Sequence, residues 1–208
     1  MGKGKDKILF LETDLDEKLS SPRTQIGFMK SFFGTYDHIE FIPKEVHSRS
    51  DLSKFLDYAR EDKRIRAIHI VGHGEISKNK CSLVLTMDER IDLTKDENQK
   101  IFKNLDGRVL FFSCCQIGSD VDIMQNLLKK SKAEAIFSYS DDVQDDQAFL
   151  IESIFYHLFL GFRPPQYEKM SLYTIYEKLK FALDYLLIDD QEEPLKNPLL
   201  VADFYEDL

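Results

Sequence analysis

Two almost wholly apolar runs, Ala67-Ile68-His69-Ile70-Val71 and Val109-Leu110-Phe111-Phe112, constrain the fold of this chain more than any other feature. Neither alternates polar with apolar residues, so both read as strands buried on two faces, the pattern of a parallel sheet covered by helices. Each ends abruptly in residues able to do chemistry: Gly72-His73-Gly74 after the first, Ser113-Cys114-Cys115-Gln116 after the second. A parallel sheet sets its strand ends side by side, and ligands of open α/β folds bind above those ends. A His and a Cys at two such ends suggest a cysteine hydrolase.

The rest of the chain fits this plan. Lys7 to Thr13 reads as a first strand, Pro22 to Phe33 as a helix with Ile26, Met29, Phe32 and Phe33 on one face, and His38 to Val46 as a second strand. Ser50 is a candidate cap for a helix through Tyr58 that carries Leu52, Phe55 and Leu56. Ser82 to Thr94 alternates around Asp88-Glu89, which predicts a small antiparallel β-hairpin inserted between His73-Gly74 and the next helix. That helix reads as Asp96 to Leu105, followed by a turn at Asp106-Gly107 and a main strand over Arg108 to Cys114. A helix over Asp120 to Lys132, a strand over Ala133 to Tyr139, and helices over Gln144 to Leu160 and Ser171 to Leu187 complete the pattern. The expectation is one α/β domain over residues 1–208, a doubly wound, mostly parallel sheet between helices.

Composition narrows the function classes. A net charge of -9, with Lys and Arg interspersed among Asp and Glu, argues against a nucleic-acid partner, because phosphate binding needs clustered cations. No run approaches the roughly 20 apolar residues of a membrane span, and the charged start leads into too few apolar residues for a signal peptide. Three Cys, two of them adjacent, do not form a disulfide framework, so reduced thiols and a soluble cytoplasmic protein without membrane contact are expected.

Cys115 meets the sequence requirements of a nucleophile. It stands where its strand runs out, shortly before the helix of Asp120 to Lys132, whose positive end favours a thiolate. Cys114, one place earlier, points to the other face of the strand and is assigned to packing. Cys81 reads as an incidental loop thiol. His73 suits the task of taking the thiol proton and passing it to a leaving amine, because an imidazole ordinarily titrates near neutrality. The Gly74 N–H, approachable because no side chain shields it, and the Cys115 N–H can together form an oxyanion hole. His69 lies inside its strand and reads as a satisfied core histidine; His38, His47 and His157 have no comparable company. His69, His73, Cys114 and Cys115 lack zinc-type spacing, so neither a metal nor another cofactor is expected.

These residues resemble the caspase-like cysteine peptidases of the caspase, gingipain and separase clan, and more closely its bacterial CHAT-type branch. The likeness rests on the strand ending in His73-Gly74 and on Ser113-Cys114-Cys115-Gln116-Ile117-Gly118, similar to the branch's small-residue, Cys, polar, small, Gly pattern. It extends through Ala133 to Tyr139, the acidic stretch before the long helix, and the terminal Asn197-Pro198 to Asp203 segment. The eukaryotic caspase motif Gln-Ala-Cys-x-Gly is absent. The resemblance implies a caspase-like three-layer sandwich and hydrolysis of protein or peptide substrates by a Cys115/His73 dyad through an acyl-enzyme, with Arg or Lys at P1. Asp145 or Asp146, within Asp141 to Asp146, would be the pocket acid for that residue; helix capping is the alternative use of these carboxylates. Glu12, Asp14 and Asp16 can orient His73 or line the cleft. Clan members are switchable, so the resemblance also implies an activating protein partner in a bacterial signalling or antiviral defence system. The alternative is a catalytically silent caspase-like scaffold that binds partner proteins.

Overall fold

A computed structural model of the chain describes residues 4–13, 25–77, 80–161, 170–186 and 200–205. In chain order its elements begin with β1 (Asp6–Thr13), α1 (Ile26–Phe33), β2 (Ile39–Val46), α2 (Arg49–Glu61) and β3 (Ile65–Val71). There follow β4 (His73–Ser77), β5 (Lys80–Val84), β6 (Arg90–Asp92) and the short α3 (Asp96–Gln99) with a 3-10 turn at Lys100–Phe102. After β7 (Val109–Ser113) and a 3-10 turn at Ile117–Ser119 come α4 (Val121–Ser131), β8 (Ala135–Tyr139), α5 (Asp145–Leu160), α6 (Leu172–Leu186) and β9 (Leu200–Phe204).

Six strands form the central sheet in the order β2-β1-β3-β7-β8-β9. All pair in parallel except β9, which runs antiparallel to β8 at the edge. The continuous apolar runs occupy the middle: every residue of β7 and β8 is buried, and β3 is buried from Ala67 onward. The period-2 alternation of a strand then sorts their side chains into two cores. Leu9, Leu11, Ile68, Ile70, Leu110 and Phe112 pack with α2 and α4, while Ile8, Phe10, Ala67, Phe111 and Phe137 pack with α1, α5 and α6. Helices on both faces make the three layers. Pro43 lies in edge strand β2, where its missing N–H costs no interior ladder bond.

Several local expectations are corrected. The predicted hairpin is a three-stranded antiparallel sheet, β4-β5-β6, because His73 to Ser77 is itself a strand and pairs with Lys80 to Val84. The helix expected over Asp96 to Leu105 lasts one turn before tightening to 3-10, and Asn104 is left-handed at φ 57°. The Asn98 and Gln99 amides donate instead to the carbonyls of Asp92 and Leu93, at 2.8 and 2.7 Å. The cap of α2 is Ser48, whose hydroxyl accepts from the Asp51 N–H at 3.1 Å, so Ser50 lies within the helix. Strand β9 is absent from the sequence reading. Pro22 and Leu187, at the ends of two predicted helices, and Asn197-Pro198 lie outside the described residues.

Candidate active site

The register of β3 on β7 brings Val71 opposite Ser113, so the His and Cys segments leave the sheet level with one another. Gly72 donates its N–H to the Ser113 carbonyl at 3.2 Å and continues this alignment past the strand end. The tips then meet at Gly74. A Cβ placed there would lie 1.9 Å from the Cys115 carbonyl oxygen and 2.8 Å from Ile117 Cγ1, so only a residue without a side chain fits.

Beyond Ser113 the chain doubles back in a tight turn. Gln116 is left-handed at φ 61°, an uncommon conformation for a non-glycine residue, and Ile117 N–H donates to the Cys115 carbonyl at 2.8 Å. The turn is fastened to the segment after β8: Gln116 N–H donates to the Asp141 carbonyl at 3.2 Å and its side-chain amide to Asp142 Oδ1 at 2.9 Å. The sequence reading gave Gln116 and Asp142 no individual role, although a polar residue directly after a candidate nucleophile was the available signal.

Cys115 is half-buried, and its thiol lies 3.9 Å from the Val143 carbonyl as a weak donor. Burial pushes its pKa up, and the charges of Asp142 and Asp145 push the same way, against opposing backbone hydrogen bonds from Val143 and from Cys115 itself. This corrects the expected helix-end activation. The Ile117–Ser119 turn separates Cys115 from α4, and the sulfur faces the acidic segment after β8. In this form Cys115 is a thiol that needs a base.

His73 is exposed as the first residue of β4, next to Gly74. Asp145 and Asp146 occupy the exposed first turn of α5, which Gln144 and Gln147 close with a capping box. The charge of Asp145 reaches Cys115, whereas Asp146 Oδ1 accepts from the Gln147 N–H at 2.9 Å. Glu12 accepts from the backbone N–H groups of Gln25 and, at 3.3 Å, Ile26, so it holds the start of α1. Asp14 and Asp16 lie outside the described residues.

The other thiols point into the core. Cys114 is fully buried on the face opposite Phe111, with its sulfur 3.6 Å from the Ile70 carbonyl. Cys81 is not a loop residue but part of β5, buried, with its pKa pushed up to about 12 by desolvation. Burial likewise holds Cys114, Tyr139 and Tyr156 well above their ordinary values. Groups raised in the folded state add stability that is fully present below their unfolded pKa and lost as pH rises through the folded one. The urea midpoint is therefore expected to be insensitive to these groups below the ordinary thiol value of 9.0 and to fall steadily above it. A midpoint rising between neutral pH and alkaline conditions would contradict this.

His69 is a core residue, as expected. Its ring stacks on Phe10 at 4.6 Å and on Phe111 at 5.1 Å, and its nitrogens face Tyr156 and Glu152. Glu152, fully buried in α5, had no assigned role; a lone acid within an apolar helix was the signal. Among the described residues no group of three or more His, Cys, Asp or Glu could hold a metal ion, and no helix is long and apolar enough to cross a membrane.

A mostly parallel six-stranded sheet between helical layers, with an added antiparallel sheet beside the strand ends, makes this a caspase-like fold. The crystal structure of the Drosophila initiator caspase Dronc aligns with a TM-score of 0.53 over 95% of this chain and 79% of that one. Sequence identity is 10%, so the likeness concerns the fold. No family model and no curated protein matches the sequence.

Proposed function

We propose that the chain is a cysteine endopeptidase that cleaves protein or peptide substrates after Arg or Lys. The observation that supports this reading is the close approach of Gly74 to the Cys115 main chain, by which the segment that carries the exposed His73 meets the turn that carries the half-buried thiol at two neighbouring strand ends. His73 takes the Cys115 proton as the sulfur attacks the scissile carbonyl carbon, then delivers it to the departing amine; water hydrolyses the acyl-enzyme. The N–H groups of Gly74 and Cys115 receive the developing oxyanion. Asp145 serves the cationic P1 side chain, with Asp146 beside it on α5. The three free thiols suit a reducing compartment such as the cytoplasm. Activation by a protein partner, in a bacterial signalling or defence system, belongs to the same proposal: the elevated Cys115 pKa describes a resting thiol that a rearrangement near Val143 would release.

That same resting thiol favours a second reading, a silent scaffold that binds partner proteins through the caspase-like fold. A peptidyl acyloxymethyl ketone with Arg at P1 separates the two, because it alkylates only a cysteine whose site can drive attack. Incubated with the chain in lysate of its native host, it is expected to label Cys115 in the wild type and not in His73→Ala, as read by peptide mass spectrometry. No adduct on folded wild-type chain would remove the peptidase reading and leave the scaffold.

A further inference from the structure

Strand β4 leads away from the candidate dyad along the edge of the antiparallel sheet. Its pairing places Glu75 opposite Ser82, Ser77 opposite Lys80, and Ser82 opposite Asp92, so Glu75, Ser77, Lys80, Ser82, Arg90 and Asp92 share one face. That face floors a cavity of about 640 Å³, bounded at one end by Gly74 and Gln116 and rimmed by Lys95. An adjoining cavity of about 550 Å³ shares Ile76, Ser77 and Lys80 and reaches Val121 at the start of α4. Together they continue along β4 from Gly74.

The charges of this face do not cancel. Arg90 is held by both Glu75 oxygens, at 3.0 and 3.3 Å, and Lys95 approaches Asp92 at 4.0 Å. Lys80 pairs with no acid among the described residues. The floor of the larger cavity thus carries three cations, Lys80, Arg90 and Lys95, against two acids, Glu75 and Asp92, while Asp120 and Asp122 line the adjoining cavity and Asp142 accepts from the side-chain amide of Gln116 at the end of the larger one.

We infer that the β4 face is the subsite for the leaving-group half of the substrate and takes an Asp or Glu side chain at Lys80. This rests on the peptidase reading, which sends the P1 cation toward Asp145 and the rest of the peptide across Gly74. Lys80 is opposite Ser77, three residues along β4 from Gly74, about 10 Å at strand rise, so the carboxylate belongs near the third residue after the scissile bond.

The test is an equilibrium measurement that needs no turnover. Two fluorescein-labelled peptides, one with Gly-Asp-Glu after a central Arg and one with Gly-Asn-Gln, are titrated at low salt by anisotropy against Cys115→Ala and Cys115→Ala/Lys80→Glu. The acidic peptide is expected to bind Cys115→Ala about 5-fold more tightly than its amide counterpart, the upper range for one exposed ion pair. Lys80→Glu should abolish that preference. Equal binding of the two peptides, or a preference that survives Lys80→Glu, overturns the inference. Wild-type cleavage of the acidic peptide in lysate of the native host, where the activating partner is present, is scored separately: absent cleavage with the Lys80-dependent preference intact removes the peptidase reading and keeps the acidic subsite, and cleavage without the preference does the reverse.

Discussion

Replacing Cys115 with Ala is expected to lower hydrolysis of an Arg-containing peptide pool by about 10,000-fold or more, whereas Cys114→Ala leaves the rate within a few-fold of wild type. Adjacent cysteines give a sharp comparison because the two substitutions remove the same atom from positions one residue apart. The Cys114 sulfur continues the inward alternation of Leu110 and Phe112 and ends against the Ile70 carbonyl, sealed from any substrate. Its cost appears instead in stability, of the order of 1 kcal/mol for a small buried hydrophobe. Cys115 falls where the strand has given way to the turn at Gln116, and there the sulfur emerges beside Val143. Peptide cleavage by mass spectrometry and a urea midpoint, measured on both variants, suffice. If Cys114→Ala is the inactive one, the nucleophile moves to a site with no visible access and the mechanism above fails.

Those two positions also mark where sequence reading succeeds and where it stops. The runs at Ala67 and Val109 were legible because a strand buried on both faces tolerates almost no polar residue, and the glycine after His73 carried real steric meaning at the tip contact. Strand β4 was not legible: His73-Gly74-Glu75-Ile76-Ser77 has one apolar residue, and its extended form comes from pairing with β5. Strand β9 likewise exists through its ladder to β8. The electrostatics of Cys115 were out of reach for a related reason. Asp142 and Asp145 approach the sulfur because a left-handed Gln116 fastens two distant segments, whereas the sequence suggested the end of α4 as the nearest charge. Local pattern reports the buried strands well, and long-range pairing decides what stands beside the thiol.

Glu152→Ala is expected to cost about 2 to 5 kcal/mol of unfolding free energy, the penalty for leaving two buried polar groups without their partner. Set against a typical total of about 5 to 15 kcal/mol, the variant would stand near the limit of folding. Glu152 and His69 are both fully enclosed, with Oε2 3.3 Å from Nε2. Those two atoms miss hydrogen-bond alignment, so the contact depends on the remaining partners. Tyr139 donates its hydroxyl to Glu152 Oε1 at 3.2 Å, and the Tyr156 hydroxyl lies 2.9 Å from His69 Nδ1. Truncating Glu152 leaves the Tyr139 hydroxyl and one His69 nitrogen without these partners in a dry core. His69→Phe/Glu152→Leu removes both members of the pair at similar volume and is expected to recover at least about 2 kcal/mol of the loss. Urea midpoints of wild type, Glu152→Ala and the double variant test this directly, and a loss below about 1 kcal/mol in Glu152→Ala would mean that the pair is not the dry clamp described here. The clamp bears on the site through its placement: His69 is four residues before His73, and Glu152 is two turns beyond Asp145 on α5. Binding β3 to α5 at this depth sets the height of the helix that carries Asp145 against the strand that leads to His73.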